Sequence, residues 1–416
     1  ATPVLLTVAD FYGTLACVRC LGRAGIPVTT ADPSLLAPAS WSRYTTSRVR
    51  CPDPRDSDPF IDWLLHFGKR SPKHVLLPTS DDTAWQFSRH RAELERYFYL
   101  NQSPIEAVYG LLNKRVLCGH AKRAGLDFPR CWFPKSNEDL QRCMEEAVFP
   151  VLIKPTTQVM FRTRSKGSIV ERPESLAAAY RTFSSFDHDG SLTAFDPDAV
   201  RPMIQEFYPA ASESIYNISG FIHDDEVQAL RAGRKLLQWP SRLGVGLCFE
   251  DADVDEELAR GLGRMARQVG FNGVFEAEFI MAQGRKLLID FNPRFFNQTA
   301  FDVARGVPLP LLAYHAALGD SASAGVQGST NGAAHPKRVF ANRSTMRFML
   351  LAHRLTGRRS SDEIEAWGKW YERHRERCTD AVRDDGDPMP ALFDLANRVR
   401  RYARHPRDFV VSLLQR

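Results

Sequence analysis

The chain has 416 residues, of which 44% are hydrophobic and 25% charged, a balance that excludes disorder as its main state. Its 55 Lys plus Arg against 49 Asp plus Glu leave a formal net charge of +6, too mild an excess for a dedicated nucleic-acid binder. No stretch reaches the roughly 18 consecutive apolar residues of a membrane span, and eight cysteines are too sparse for a disulfide scaffold at this length, so a cytoplasmic protein is expected.

At roughly 100–200 residues per domain the length suggests two to four domains. Residues 4–9 predict a buried strand, without the basic start and long apolar run of a signal peptide. A helix follows through Leu15, Val18 and Leu21, and Ile26-Pro27-Val28 opens the next strand. Strand, glycine turn, helix and strand together make a βαβ signature. Cys17 and Cys20 have two residues between them, but no second ligand pair completes a zinc set, and packing as small apolar residues is expected of them. Residues 74–79 form another strand, followed by Ser80-Asp81-Asp82. Ligands of open α/β sheets bind beyond the carboxyl ends of strands, which puts Asp81 and Asp82 within reach of a substrate; the plainer reading is that they cap the next helix.

A second region begins near Asn113-Lys114, where a helix runs to Gly125. Another helix spans 137–147, with Asn137 as its expected cap. Residues 149–155 predict a strand carrying a single lysine, Lys154, and 202–208 a further strand. Residues 214–223 and 226–232 pair around Asp224-Asp225, 253–269 form an amphipathic helix, and 273–281 and 285–292 form a hairpin. Gly261, Gly263 and Ala266 fit a loose dinucleotide pattern but fall inside that helix rather than after a strand. No internal repeat is found. Residues 319–334 are rich in Gly, Ser and Ala and predict a linker. The remainder is mostly helical and Arg-rich; Asp394 and Asp408 among its arginines favour a solvated helix face over an anionic docking surface. The expected division is 1–110 for an α/β domain, 111–320 for a two-lobed domain (lobes about 111–205 and 206–320), 321–334 for the linker and 335–416 for a helical C-terminal region.

The hairpin is the sharpest local feature. Side chains alternate along a strand, so Glu276 and Glu278 share one face, as do Asp290 and Asn292. Apolar neighbours Phe279, Leu288, Ile289 and Phe291 give them a core-like setting, where a carboxylate is costly unless paired or metal-bound. Glu278, Asp290 and Asn292 are hard oxygen donors of the type Mg²⁺ takes, and Arg294 adds a fork-shaped cation. Lys154, at the end of a buried strand, calls for an anionic partner.

The order Lys114, Lys154, Gln205-Glu206-Phe207, Glu278, then Asp290-Phe291-Asn292-Pro293-Arg294 resembles the ATP-grasp superfamily over roughly residues 1–320. Leu76 to Asp82, Gly233 to Pro240, Gly306 to Pro310 and Asp387-Pro388-Met389-Pro390 are similar to its carboxylate–amine ligase group. The resemblance implies an α/β fold: a Rossmann-like pre-ATP domain, two α+β lobes clamping ATP, and a helical C-terminal extension. It implies that Lys114 and Lys154 contact the phosphates and adenine side of ATP. Glu206 and Phe207 hold the adenine through backbone amides. Glu278, Asp290 and Asn292 bind Mg²⁺, with Mn²⁺ as a substitute, and Arg294 steadies the transferring phosphoryl group. Arg234 and Lys235 meet the substrate. Lys166-Gly167 serves as a phosphate lid, with Arg162 and Arg164 adding charge, although the family usually carries more glycine there. Asp290 stands where Glu is common. The implied activity joins a carboxylic acid to an amine, with small-molecule partners, no nucleic acid, no membrane span and room for a homodimer. The alternatives are an enzyme with a different acceptor and a nucleotide-binding scaffold that has lost turnover.

Overall fold

A computed structural model describes residues 1–163, 167–209, 215–239, 244–320 and 337–404. The linker expected at 321–334 and Lys166 lie outside these residues.

The N-terminal unit is a parallel sheet in the order β3-β2-β1-β4-β5. Its strands are β1 (Val4–Thr7), β2 (Val28–Asp32), β3 (Ser47–Arg50), β4 (His74–Leu77) and β5 (Phe98–Tyr99). A parallel sheet must be covered on both faces, and β1 shows how the sequence does it. Val4 and Leu6 pack with Leu15, Val18 and Leu21 of the helix Tyr12–Arg23. Leu5 turns the other way, against Phe60, Leu64 and Phe87. Cys17 and Cys20 are buried free thiols, as their apolar setting predicts.

The second sheet is antiparallel, β6-β9-β7-β8, built from β6 (Cys131–Trp132), β7 (Val151–Pro155), β8 (Ser168–Val170) and β9 (Pro202–Glu206). Val151 and Ile153 enter a core with Leu140 and Leu176 of the helices Asn137–Glu146 and Pro173–Ser184. By strand alternation Leu152 and Lys154 face the opposite side, where a cleft opens. The cap of the helix Asn137–Glu146 is Ser136 rather than Asn137: its hydroxyl accepts from Asp139 N, and Asp139 reaches back to Ser136 N, a reciprocal capping box.

The third sheet has seven strands, β14-β13-β10-β11-β12-β15-β16. They are β10 (Ile215–His223), β11 (Glu226–Trp239), β12 (Val245–Ala252), β13 (Gly273–Ala282), β14 (Arg285–Asn292), β15 (Val339–Ala341) and β16 (Cys378–Asp380). β11 runs seven residues past the 226–232 expected from pattern, and β12, β15 and β16 were not anticipated. The last two come from the C-terminal region, whose helices Arg343–Leu355, Ser361–His374 and Met389–Arg404 otherwise match the expected helical extension.

That region also grips the first unit. Asp387, with no exposed surface, accepts from Arg19 Nε at 2.9 Å, Ser42 Oγ at 2.7 Å and Arg43 N at 2.8 Å. Arg19 also donates to the Val382 carbonyl at 2.8 Å. Trp41 stacks on Phe393 with ring centroids 3.9 Å apart. Removing one partner of a buried pair leaves the other charge uncompensated. Asp387→Ala should therefore lower unfolding free energy by on the order of 3 kcal/mol in urea titrations; a loss below about 0.5 kcal/mol would mean the pair is solvated and idle.

Candidate active site

The cleft between the second and third sheets encloses about 820 Å³ of atom-free space, part of it open to solvent. Lys114, Lys154 and Lys235 line it together with Glu278, Asp290, Glu206 and Phe207. These come from six separate elements, with Phe207 directly following β9. Lys114 begins the helix Lys114–Arg123, whose cap is Asn113, and its amide donates to the Thr156 carbonyl at 2.8 Å, tying the helix to the end of β7.

The hairpin register explains the carboxylates. Glu276 pairs with Asn292 and Glu278 with Asp290 across β13 and β14, so all four side chains fall on one face. Phe275, Ala277 and Phe279 alternate onto the other face and join the core under the helix Glu256–Val269. Each charge on the polar face is matched. Lys235 Nζ lies 2.6 Å from Glu278, and Lys114 Nζ 2.9 Å from Asp290. Burial opposes the Lys114 charge, but Asp290 holds its pKa above the ordinary lysine value.

Lys154 is the exception. Only 9% exposed, it has no carboxylate within 4.0 Å among the described residues. Burial, and then the neighbouring Lys114 charge, pull its pKa down to about 8. A buried ammonium in this state attracts an anion.

Arg294 is held from two sides. Its Nε donates to Asp81 at 2.8 Å and its Nη2 to Asn292 Oδ1 at 2.9 Å. Asp81 is thus not a helix cap; Ser80 caps the helix Asp81–Arg89, and Asp82 accepts from the Met160 amide at 2.6 Å. Glu276 is the residue that sequence reasoning placed on the right face and gave no role. It is buried beneath Arg294, with Asn217 and Asn292 donating to its two oxygens at 3.3 and 3.2 Å and Gln298 donating as well. Burial, then the Glu278 charge, raise its pKa to about 8.

Three expectations fail or shift. Arg234 is directed away from the cleft: alternation along β11 puts it opposite Lys235, where it is exposed and 3.5 Å from Glu250. The Glu206 amide is spent on the Arg130 carbonyl at 2.9 Å and its carboxylate on Arg130 N and Tyr208 Oη, which leaves its amide no free donor for a ligand. Arg162 pairs with Asp56 at 2.8 Å rather than reaching toward the cleft, while Arg164 and Lys166 lie outside the described residues.

For a metal, no set of three His, Cys, Asp or Glu side chains gathers among the described residues. Mg²⁺ does not need one: it is commonly held by one or two carboxylates, with phosphate oxygens and water filling its octahedron. Glu278 and Asp290, facing each other in register with Asn292 Oδ1 beside them, fit that requirement.

No family model matches the sequence. In solved structures the same architecture recurs. Biotin carboxylase of Campylobacter jejuni, in its β,γ-ATP complex, superposes with a TM-score of 0.60 at 15% identity, covering 77% of this chain and 72% of that one. An L-amino acid ligase of Bacillus licheniformis gives 0.59 at 14% identity, covering 80% and 77%. The chain has the ATP-grasp fold. Among curated sequences, this chain is similar to D-aspartate ligase of Enterococcus faecium, 22% identical over 295 residues, and spans 66% of that protein. It is also similar to the carbamoyl phosphate synthase large chain of Micrococcus luteus, 28% identical over 204 residues, of which it spans 17%. No described helix is long and apolar enough to cross a membrane.

Two stability predictions follow from the displaced pKa values. Lys154 prefers the unfolded state while protonated, so its cost is full below pH 8 and fades as pH rises toward the unfolded value near 10.5. Lys154→Met should raise the ligand-free Tm at pH 7, by an amount reflecting on the order of 3 kcal/mol at most, and should do so less at pH 10. Glu276 has the opposite sign: the stability of its protonated form is full below about pH 4.5 and lost as pH rises through 8. Glu276→Gln should flatten the decline of Tm between those values; an unchanged slope would assign the decline to other groups.

Proposed function

We propose that the protein is an ATP-dependent ligase that joins a carboxylic acid to an amine through an acyl phosphate. The carrying observation is that Lys114, Lys154 and Lys235 converge with Glu278 and Asp290 on one cleft. A triphosphate needs cations for its own charge and carboxylates for the metal that accompanies it. The likeness to D-aspartate ligase and the fold shared with an L-amino acid ligase support carboxylate–amine chemistry over other uses of that cleft.

In this reading Lys154 takes a phosphate as its missing counter-charge, and Lys114 is shared between Asp290 and the phosphates. The chain from Phe207 onward receives the adenine. Glu278, Asp290 and Asn292 hold Mg²⁺, or Mn²⁺ in its place. The ion supplies neutralisation of the phosphate oxygens. Asp81 and Asn292 hold the Arg294 guanidinium in place before the substrate arrives, so that its charge meets the transferring phosphoryl group without reorganisation. Lys235 faces the substrate carboxylate. A carboxylate oxygen attacks the γ-phosphorus and the bond to ADP breaks. The amine nitrogen then attacks the acyl carbon, the carbon–oxygen bond to phosphate breaks, and a proton from the amine passes to solvent. No covalent bond to the protein forms; catalysis rests on positioning and charge neutralisation.

An ADP-release screen with amino acids offered as both acid and amine tests the reading. Glu278→Gln and Asp290→Asn should each lower Mg-dependent turnover by at least about 100-fold, with Tm nearly unchanged. Full turnover in both variants would remove them from the site. Lys154→Ala should weaken ATP binding in calorimetry; an unchanged dissociation constant would contradict its role. Tight ATP binding without turnover on any acid–amine pair would favour the nucleotide-binding scaffold.

A further inference from the structure

A helix on a protein surface ordinarily turns its apolar stripe inward and its charges to water. The last helix, Met389–Arg404, does the reverse. Leu392 and Leu395 are each 58% exposed and Val399 60%, and Met389, Ala396 and Ala403 are exposed as well. At about 100° of rotation per residue these six positions share one sector, roughly a third of the circumference. Among the described residues twelve large apolar side chains are exposed, and six of them lie on this helix and on Arg343–Leu355, where Leu351 and Leu355 stand one turn apart. Single exposed apolar residues are ordinary, whereas a concentration of them marks an interaction surface.

The polar residues of the helix point the other way. Tyr12 Oη donates to Asp394 Oδ1 at 3.1 Å, and Arg398 Nη2 lies 2.9 Å from Asp394 Oδ2 and 2.9 Å from Ser344 Oγ. The Asp394 and Arg398 side chains are each only 12% exposed. From sequence, Asp394 was expected to mix its charge with the arginines on a solvated face. Its carboxylate is instead spent inside, tying the helix to the first unit and, through Arg398, to Arg343–Leu355. Asp408 lies outside the described residues.

Asp394 is the one acidic residue of Met389–Arg404, so the outer face has no carboxylate. Its charges are Arg400 and Arg404, both exposed, one turn apart at the edge of the apolar sector. The neighbouring helix Arg343–Leu355 contains no acidic residue at all, and its Arg347 and Arg354 are exposed along with Leu351 and Leu355. Apolar surface and positive charge therefore occur together, with no negative charge between them.

We propose that the outer face of Met389–Arg404 docks on an anionic phospholipid surface, with the helix lying in the plane of the headgroups. The charge selects this occupant. A second copy of the chain would present the same arginines and no carboxylate on that face to meet them. An anionic leaflet answers both features: its acyl boundary takes Leu392, Leu395 and Val399, and its headgroup phosphates take Arg400 and Arg404. The inward bonds of Asp394 and Arg398 and the Trp41–Phe393 stack hold the helix in place, so it meets the surface already folded. The inference does not rest on the ligase reading or on the nucleotide cleft.

The test is co-sedimentation of the full chain with vesicles of phosphatidylcholine alone and of phosphatidylcholine mixed with phosphatidylglycerol. Binding to the mixed vesicles should be tighter by on the order of tenfold and should weaken as salt is raised. Leu395→Ser combined with Val399→Ser should weaken it at least about tenfold. Tm should not fall, because both side chains already stand in water. Arg400→Gln combined with Arg404→Gln should remove the preference for phosphatidylglycerol. No binding, equal binding to the two kinds of vesicle, or either double variant binding as the unaltered chain does would each overturn the proposal. Light scattering on the same samples reads the other occupants. A dimer that Leu395→Ser with Val399→Ser dissolves, without vesicle binding, would overturn it in favour of a second copy. Vesicle binding that appears only after Leu413→Ser with Leu414→Ser would overturn it in favour of residues 405–416.

Discussion

Four oxygen-bearing side chains on one face of a two-stranded hairpin impose the main constraint on this molecule. Glu276, Glu278, Asp290 and Asn292 meet in register, three of them carboxylates, with phenylalanines on the opposite face. Left alone, such a cluster would repel itself and lose hydration. The fold answers with Lys235 from β11, Lys114 from a helix start and Arg294 from the end of β14. Each cation belongs to a different element, so compensating the hairpin also fixes where those elements sit. Arg294 carries the demand further, to Asp81 at the carboxyl end of the parallel sheet. The acidic face thus links all three sheets.

The cluster is over-supplied with positive charge at one point. Lys154 faces Lys114 across the cleft without a carboxylate of its own among the described residues. A structure selected for stability alone would place an apolar residue there. Retaining a lysine makes sense where an anionic ligand completes the balance, and the strain is then part of the affinity.

What could be read from sequence was local. Alternation along 275–279 and 290–292 announced a polar face against an apolar one, but the Gln283-Gly284 turn alone would set Glu278 opposite Ile289; a register shift between Glu278 and Phe279 is what pairs Glu278 with Asp290 and Glu276 with Asn292. The same rule, applied to β11, separates Arg234 from Lys235; naming both as substrate contacts overlooked it. Asn137 gave way to Ser136 because the reciprocal bond with Asp139 outweighs the bare preference of Asn for caps. Strands β15 and β16 are three residues each and owe their extended form to the edge of a sheet built elsewhere in the chain. No local pattern encodes that. Nor does one encode the meeting of Arg19 with Asp387, since it depends on the full path of the backbone.

The Arg19–Asp387 pair bears on how the chain is made. Arg19 lies in the first helix, and its carboxylate is synthesised 368 residues later. Until then the parallel sheet holds a buried guanidinium without its counter-ion, and Ser42 and the Arg43 amide lack their acceptor as well. The parallel sheet is consequently synthesised well before the carboxylate that completes its polar interior. A chain ended before Asp387 keeps every described residue that lines the cleft and still carries this defect in the parallel-sheet unit. The folding equilibrium of the parallel-sheet unit therefore depends on a carboxylate made hundreds of residues later, and a chain that lacks it is a loosened one.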